Sequence, residues 1–209
     1  VGSTRIYFLD IILDNIFLSY FFTTFCLLIV INGSNFIDGL NGLVLGYYGT
    51  ILILIFKLDL INNLNIDENN FIYFIYLIFC LFLFNIFDQL YIGDSGAYLL
   101  GFIVSFFLIM IYKTNQTISP FFIILLLWYP CFENLFSIMR KFKFKKSPTF
   151  PDTKHLHQLL FHFIKKKYLK ESLFSNNLAS FSILIYNIII FVFASNYINN
   201  TKLHISLIF

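Results

Sequence analysis

The chain has 209 residues, 59% hydrophobic and only 12% charged, about half the charge that coats a soluble domain. Together with a mean hydropathy of +0.81, that excludes both an ordinary soluble globule and a disordered chain. The net charge of +3 is too small to imply a nucleic-acid partner, and none is expected; the placement of the charges says more.

Stretches free of Asp, Glu, Lys and Arg run over 15–37, 39–56, 69–87, 95–112, 114–132 and 172–201. Each is long enough to cross a hydrocarbon core about 30 Å thick as a helix rising about 1.5 Å per residue. The pattern predicts six membrane helices, near 16–32, 41–57, 71–88, 96–112, 119–136 and 176–198, in an all-α polytopic bundle. Barrel strands would alternate apolar and polar residues. Leu52–Phe56 and Ile183–Phe193 are instead apolar nearly throughout. The whole of 1–209 reads as one integral membrane domain. It opens at Val1 in a polar stretch, without a signal peptide, and closes on the apolar run Leu203–Phe209, which reads as a fragment cut at both ends.

Cys26, Cys80 and Cys131 all lie in apolar stretches without a CxxC pair, as small buried hydrophobes do. Ten of the 14 Lys and Arg residues fall between Arg140 and Lys170, so the positive-inside rule puts a long loop at 137–175 in the cytoplasm. Counting crossings back from there places Asp88–Ser95 and Asn32–Leu40 on the same side. It places Thr114–Ser119, Lys57–Asn70 and Val1–Asn15 outside. The side chains with chemical potential thereby gather on one face. Asn-x-Ser/Thr triplets at Asn32, Asn115 and Asn199 are expected in an Asn-rich chain, and Trp128, Tyr129 and Pro130 suggest an interface belt and a kink.

Three constellations stand out. In Asn32-Gly-Ser-Asn35-Phe-Ile-Asp38-Gly-Leu-Asn41-Gly42, a helix would align Asn35, Asp38 and Asn41 in one polar stripe of hard oxygen ligands suited to Mg²⁺. Gly39, Gly42, Gly46 and Gly49 follow at spacings that let membrane helices approach closely. A capped polar helix end with a packing groove explains the same residues. In Gly93-Asp94-Ser-Gly96, Asp94 is either an N-cap or a metal ligand beside a helix N-terminus that favours phosphate. In the third, Arg140 to Gln158, two prolines in Ser147–Asp152 disfavour helix. His155 and His157 could then meet one ligand only from an extended or turning backbone, since on a helix they point apart. Anionic lipid binding by the basic run and plain surface histidines are the bland alternatives, and a two-His zinc site lacks further ligands at usual spacing.

Taken in order, Asn-x-x-Asn-x-x-Asp-Gly-x-Asn-Gly (Asn32–Gly42), Gly-Asp-x-Gly-x-x-x-x-Gly (Gly93–Gly101) and Ser-Pro-x-x-Pro-Asp-x-x-His-x-His (Ser147–His157) resemble the polyprenyl-phosphate N-acetylhexosamine-1-phosphate transferases of the glycosyltransferase 4 type. The likeness covers roughly 15–165. It is nearer the bacterial undecaprenyl-phosphate sugar-1-phosphate transferases of O-antigen and teichoic-acid synthesis than the muramoyl-pentapeptide transferase. The resemblance implies a multi-pass enzyme of the bacterial inner membrane with its active face in the cytoplasm. It would move a sugar-1-phosphate from a UDP-sugar to a polyprenyl phosphate and release UMP, with Mg²⁺ (or Mn²⁺), in cell-envelope polysaccharide or lipopolysaccharide synthesis. A homodimer is compatible with it.

Carried over by position, Asn35 and Asp94 match metal-holding residues of the family. Asn32 and Asp38 match the motif around nucleotide and diphosphate. Lys154, His155 and His157 match the histidine motif that contacts diphosphate or sugar, and Glu133 and Arg140 match the acidic and basic residues flanking it. The resemblance makes Asp38, Asp94, His155 and His157 the catalytic candidates and Asn32, Asn35, Lys154 and Arg140 the substrate-binding ones. The family's Asp-Asp pair is absent and is expected upstream of Val1. Asn41 and Gln158 replace an Asp and a His of some members while keeping polarity. Whether Asp38 forms a covalent intermediate or only orients groups stays open. The rival readings are a non-catalytic or truncated relative and a small-solute transporter fragment, which would hold charges near the bilayer midplane.

Overall fold

The structure is a computed structural model that describes residues 11, 14–64, 66–115, 117–144, 154–168 and 172–208. Its regular elements there are all helical: α1 (Ile16–Ile37), α2 (Leu43–Lys57), a 3₁₀ turn (Asn62–Leu64), α3 (Glu68–Ile86), α4 (Gly93–Thr114), α5 (Pro120–Leu126), α6 (Trp128–Lys143), α7 (Leu156–Tyr168), α8 (Ser172–Ser195) and α9 (Thr201–Ile208). Side-chain oxygens start two of the long helices. Asn15 accepts from Phe17 N at 3.0 Å to open α1, and Asp67 accepts from Asn69 N at 3.4 Å to open α3. Both are N-cap residues satisfying amides that have no partner within the helix.

Helices α1, α3, α4 and α8 are long and apolar enough to cross a membrane, and α5 with α6 passes the same test only as a pair bent by 73°, a broken span or a re-entrant segment. Their outward faces carry Phe17, Phe21, Tyr73, Phe79, Phe102, Ile185 and Ile189, all exposed. A surface of that kind suits hydrocarbon rather than water, so the bundle is polytopic and built for lipid.

Three expectations need correction. The span expected at 41–57 is only the 15-residue α2, about 22 Å long and short of the core thickness. It is the buried centre of the bundle, with Tyr47, Tyr48, Ile51, Leu52 and Ile55 almost fully enclosed. The span expected at 119–136 breaks at Leu127, where α6 turns 73° from α5. The expected loop at 137–175 is largely helical where described: α6 runs on to Lys143, α7 fills Leu156–Tyr168, and α8 starts at Ser172. Ser147–Asp152, with Lys145, Lys146 and Lys170, lie outside the described residues.

Helix α1 is clamped between α4 and α6 by two close approaches. A Cβ on Gly101 would come within 2.2 Å of Ser34 Oγ, and one on Gly33 within 2.0 Å of the Pro130 carbonyl oxygen. Ser34 donates to Val30 O at 2.7 Å and also pairs with the Tyr48 hydroxyl. Tyr47 donates to Leu126 O at 2.8 Å, Trp128 Nε1 to Asn187 Oδ1 at 2.9 Å, and Asn134 Nδ2 to Ile29 O at 2.9 Å. Such internal partners are required where no water can supply one. Trp128 is therefore tied to α8.

Candidate functional site

One end of the bundle collects the C-termini of α1 and α3 and the N-termini of α2, α4, α7 and α8. The polar side chains singled out in the sequence gather there. Helix α1 stops at Ile37, and the backbone N–H of Asp38 closes onto Asn35 O at 3.1 Å. Asn32 and Asn35 thus stand on the last turns of the helix, while Asp38 and Asn41 stand on the turn beyond it. The expected single helical stripe is therefore split between helix and turn. Gly42 completes the reversal with φ of 75°, a left-handed conformation that glycine adopts without penalty.

Asn35 and Asp94, 59 residues apart in sequence, meet side chain to side chain: Asn35 Nδ2 donates to Asp94 Oδ1 at 2.7 Å. Asp94 is not the N-cap of α4; Ile92 is, and Asp94 lies in the first helical turn. A negative charge there is favoured by the helix dipole. Asp38 lies close enough to feel Asp94. Burial first, and the Asp94 charge second, raise its carboxyl to about 6. Asn32 folds back on its own helix, donating to Leu28 O at 2.9 Å, and its side chain is exposed.

The histidines form a second group. His155 precedes α7 and His157 sits in its first turn, so the backbone turns between them and both rings can face the same way. The rings stack with centroids 5.6 Å apart and 9° between planes. Phe36 lies against His155 at 5.2 Å between centroids, and a Cβ on Gly39 would come within 2.5 Å of His157 Nε2. The two groups thus adjoin through the Phe36–Gly39 turn.

His157 is fully buried, and neither ring nitrogen has a hydrogen-bond partner. Burial pushes its ring down to about 4, with Glu133 pulling upward and His155 adding to the fall. His157 is therefore neutral at pH 7. Lys154 is exposed beside this group. Arg140 lies farther off, its guanidinium 4.6 Å over the Phe136 ring. It stands seven residues past Glu133, about 10 Å along α6.

Four residues of this end were not singled out as site residues from the sequence. Glu133 binds both His155 and the Leu156 backbone (2.8 Å each). Asn85 accepts from Gly42 N and donates to Leu90 O at 2.6 Å, bracing the turn. Asp88 accepts from Tyr91 Oη at 2.6 Å and from Asn41 Nδ2 at 3.1 Å, and these bonds hold its carboxyl below the usual range. Asn176 Oδ1 accepts from Asn41 N at 2.7 Å. The resemblance had marked Glu133 only as a residue flanking the histidine motif, and Asn85 was signalled as an amide inside an otherwise apolar span.

Hard oxygens from Asn35, Asp38 and Asp94 suit a magnesium-like ion. Among the described residues no three His, Cys, Asp or Glu side chains form a metal-holding group. Mg²⁺ does not need one, since it commonly takes one or two carboxylates and completes its shell with phosphates and water. The Asn35 amide currently offers its nitrogen to Asp94; a half-turn would offer its oxygen.

A family model described as glycosyl transferase family 4 matches residues 1–112, which contain the Asn32–Gly42 and Gly93–Gly101 motifs. The chain is 29% identical over 131 residues to the undecaprenyl-phosphate alpha-N-acetylglucosaminyl 1-phosphate transferase of Thermotoga maritima, covering 62% of this chain and 39% of the relative. It is 30% identical over 156 residues to the probable undecaprenyl-phosphate N-acetylglucosaminyl 1-phosphate transferase of Bacillus subtilis, covering 70% and 41% respectively. The matches span about two fifths of the length of these curated relatives. No solved structure matches the chain significantly.

Proposed function

The chain belongs to glycosyl transferase family 4, and from that premise we propose that it carries the core of a transferase moving a sugar-1-phosphate from a UDP-sugar to a polyprenyl phosphate, with release of UMP. The donated group is a HexNAc-1-phosphate or a close relative, and the product feeds cell-envelope polysaccharide synthesis at the cytoplasmic face of the bacterial inner membrane. The observation that carries this reading is the meeting of Asn35 and Asp94 beside Asp38, at the end of the bundle where the helices emerge. The relatives' names supply the lipid carrier and the sugar phosphate for those proteins; the local chemistry here suits the same substrates.

Transfer between two phosphate-bearing anions is mostly positioning and charge neutralisation. Asn35, Asp94 and Asp38 would hold Mg²⁺ (or Mn²⁺), which when bound would offset diphosphate charge and ease departure of UMP. Backbone N–H groups at the start of α4 face the same region and favour phosphate oxygens. Lys154 supplies a donor near the turn that carries Asp38. The acceptor phosphate is already anionic at pH 7 and attacks without a general base. Its lipid tail explains why the site sits where apolar helices end. A transporter would need ionisable groups at mid-membrane. In the four long spans the charged residues, Glu68, Asp94 and Lys113, all sit in terminal turns, and Glu133 of the bent α5–α6 pair is bound to the start of α7.

The test is release of labelled UMP from UDP-N-acetylglucosamine by the purified protein, given undecaprenyl phosphate and Mg²⁺. Turnover that stops on chelation and in Asp94→Ala is expected. Release unchanged in Asp94→Ala would overturn the proposal.

A further inference from the structure

Helix α6 is built inside out: Glu133, Asn134 and Ser137 face the protein while Phe132, Leu135, Phe136 and Met139 face outward. Glu133, only 1% exposed, spends both carboxylate oxygens on one short segment. Its Oε1 accepts from Leu156 N at 2.8 Å, at the first residue of α7, and its Oε2 pairs with His155 Nδ1 at 2.8 Å. A carboxylate can only accept, so the His155 proton must sit on Nδ1. That leaves Nε2 as the one ring nitrogen able to meet anything else. The ring also stacks on His157 and lies against Phe36, at the end of α1 that carries Asn35 and leads into the Asp38 turn.

We propose that Glu133 is a positioning residue: it clasps the start of α7 and fixes His155 in the Nδ1-protonated form, so that Nε2 is left as an acceptor for a hydrogen-bond donor of the bound substrate. The catalytic consequence rests on the transferase reading above; the clasp itself does not. A sharp chemical consequence follows for Glu133→Gln. Glutamine has one acceptor oxygen where glutamate has two. If that oxygen stays on Leu156 N–H, the amide NH₂ faces His155 Nδ1, which must then become an acceptor, and the proton moves to Nε2. Glu133→Asp keeps two acceptors and should keep the Nδ1 proton. Partners that fix the tautomer of a metal-ligating histidine are typically worth about 10–100-fold in affinity or activity, and a loss of the same order is expected here.

The experiment is ¹⁵N NMR of the histidine-labelled protein in lipid nanodiscs. The chain has four histidines, and His155 is assigned by its loss in His155→Gln. The wild type and Glu133→Asp should show a protonated Nδ1 at His155, and Glu133→Gln a protonated Nε2. In the transfer assay, Glu133→Gln should lose about 10–100-fold in kcat with little change in KM for the UDP-sugar, and Glu133→Asp should recover part of it. An unchanged His155 tautomer in Glu133→Gln would overturn the clasp. An inverted tautomer with full kcat would overturn its role in turnover. A wild-type protein with the expected tautomer but no transfer would refute the transferase reading and uphold the clasp.

Discussion

The two halves of the site are built in opposite ways. At the α1–α4 junction, Asn35 is half-buried and Asp94 exposed, joined by one hydrogen bond that a bound cation could replace. At the α6–α7 junction, Glu133, His155 and His157 are all buried, and the carboxylate is saturated by two bonds. The first half is open and under-coordinated, as a place that receives charged ligands must be. The second is closed, and its use is to hold rings in place. The contrast predicts that substitutions in the open half cost rate and spare stability, whereas those in the closed half and in the helix contacts that support it cost stability as well as rate.

The largest effect should come from the open half. Asp94→Asn keeps the size and the hydrogen-bonding reach to Asn35 but removes the charge. Transfer should fall by about 10²–10³-fold, as when a main charge-stabilising group is lost, with the melting temperature nearly unchanged. A variant that unfolds instead would erase the distinction between the halves.

Next in size are the close approaches that bring the halves together. Gly33→Ala drives a Cβ into the Pro130 backbone, which cannot swing aside as a side chain would. Overpacking of this kind costs about 1–3 kcal/mol, read as a lower melting temperature. Activity per folded molecule should fall as well, because α1 carries Asn35 and α6 carries Glu133. Similar stability through a different bond is at stake in Asn85→Leu, which leaves Gly42 N–H and Leu90 C=O without their partner. A loss of about 1–3 kcal/mol is expected in chemical denaturation, and a neutral outcome would mean the turn is braced elsewhere.

The smallest effect sharpens the comparison through pH. His157 has a folded pKa of about 4, below the ordinary histidine value, so its contribution to stability is complete above about pH 6.5 and is lost as pH falls through 4. Asp38 runs the other way. With its carboxyl raised to about 6, its contribution is complete at low pH and is lost as pH rises through 6. Acidification from pH 7 to 4.5 should therefore destabilise His157→Gln less than the wild type in thermal unfolding. Equal shifts would show that the ring is not held neutral.

Much of this architecture was legible because charge is so scarce in the chain. Charge-free runs mark α1, α3, α4 and α8, and the positions where polar residues return mark the ends on which Asn35, Asp38 and Asp94 sit. The run 39–56 misled because absence of charge does not say whether a helix faces lipid or protein. Gly42 spends the first residues on a turn, and Tyr47 and Tyr48 then find partners inside the bundle. The break at Leu127 is announced by Pro130, the expected kink, whose ring crowds the Leu126 carbonyl and which has no N–H to give. The bond from Glu133 to His155 spans 22 residues and depends on the angle at which α6 departs, which no local pattern encodes. Of the two alternatives for Asp94, the N-cap is not the one seen: the helix begins at Gly93, Asp94 lies in its first turn, and no side chain caps it.

The central claim is that Asn35 and Asp94 face one another across the α1–α4 junction. It is tested most directly by introducing Asn35→Cys and Asp94→Cys together, with Cys26, Cys80 and Cys131 replaced by serine, and treating native membranes with a mild oxidant or a short bis-thiol reagent. The account predicts rapid intramolecular cross-linking that neither single-cysteine variant shows. Thiols that stay free under conditions that cross-link a control pair at Ser119 and Thr201, whose side chains lie 3.0 Å apart, would contradict it.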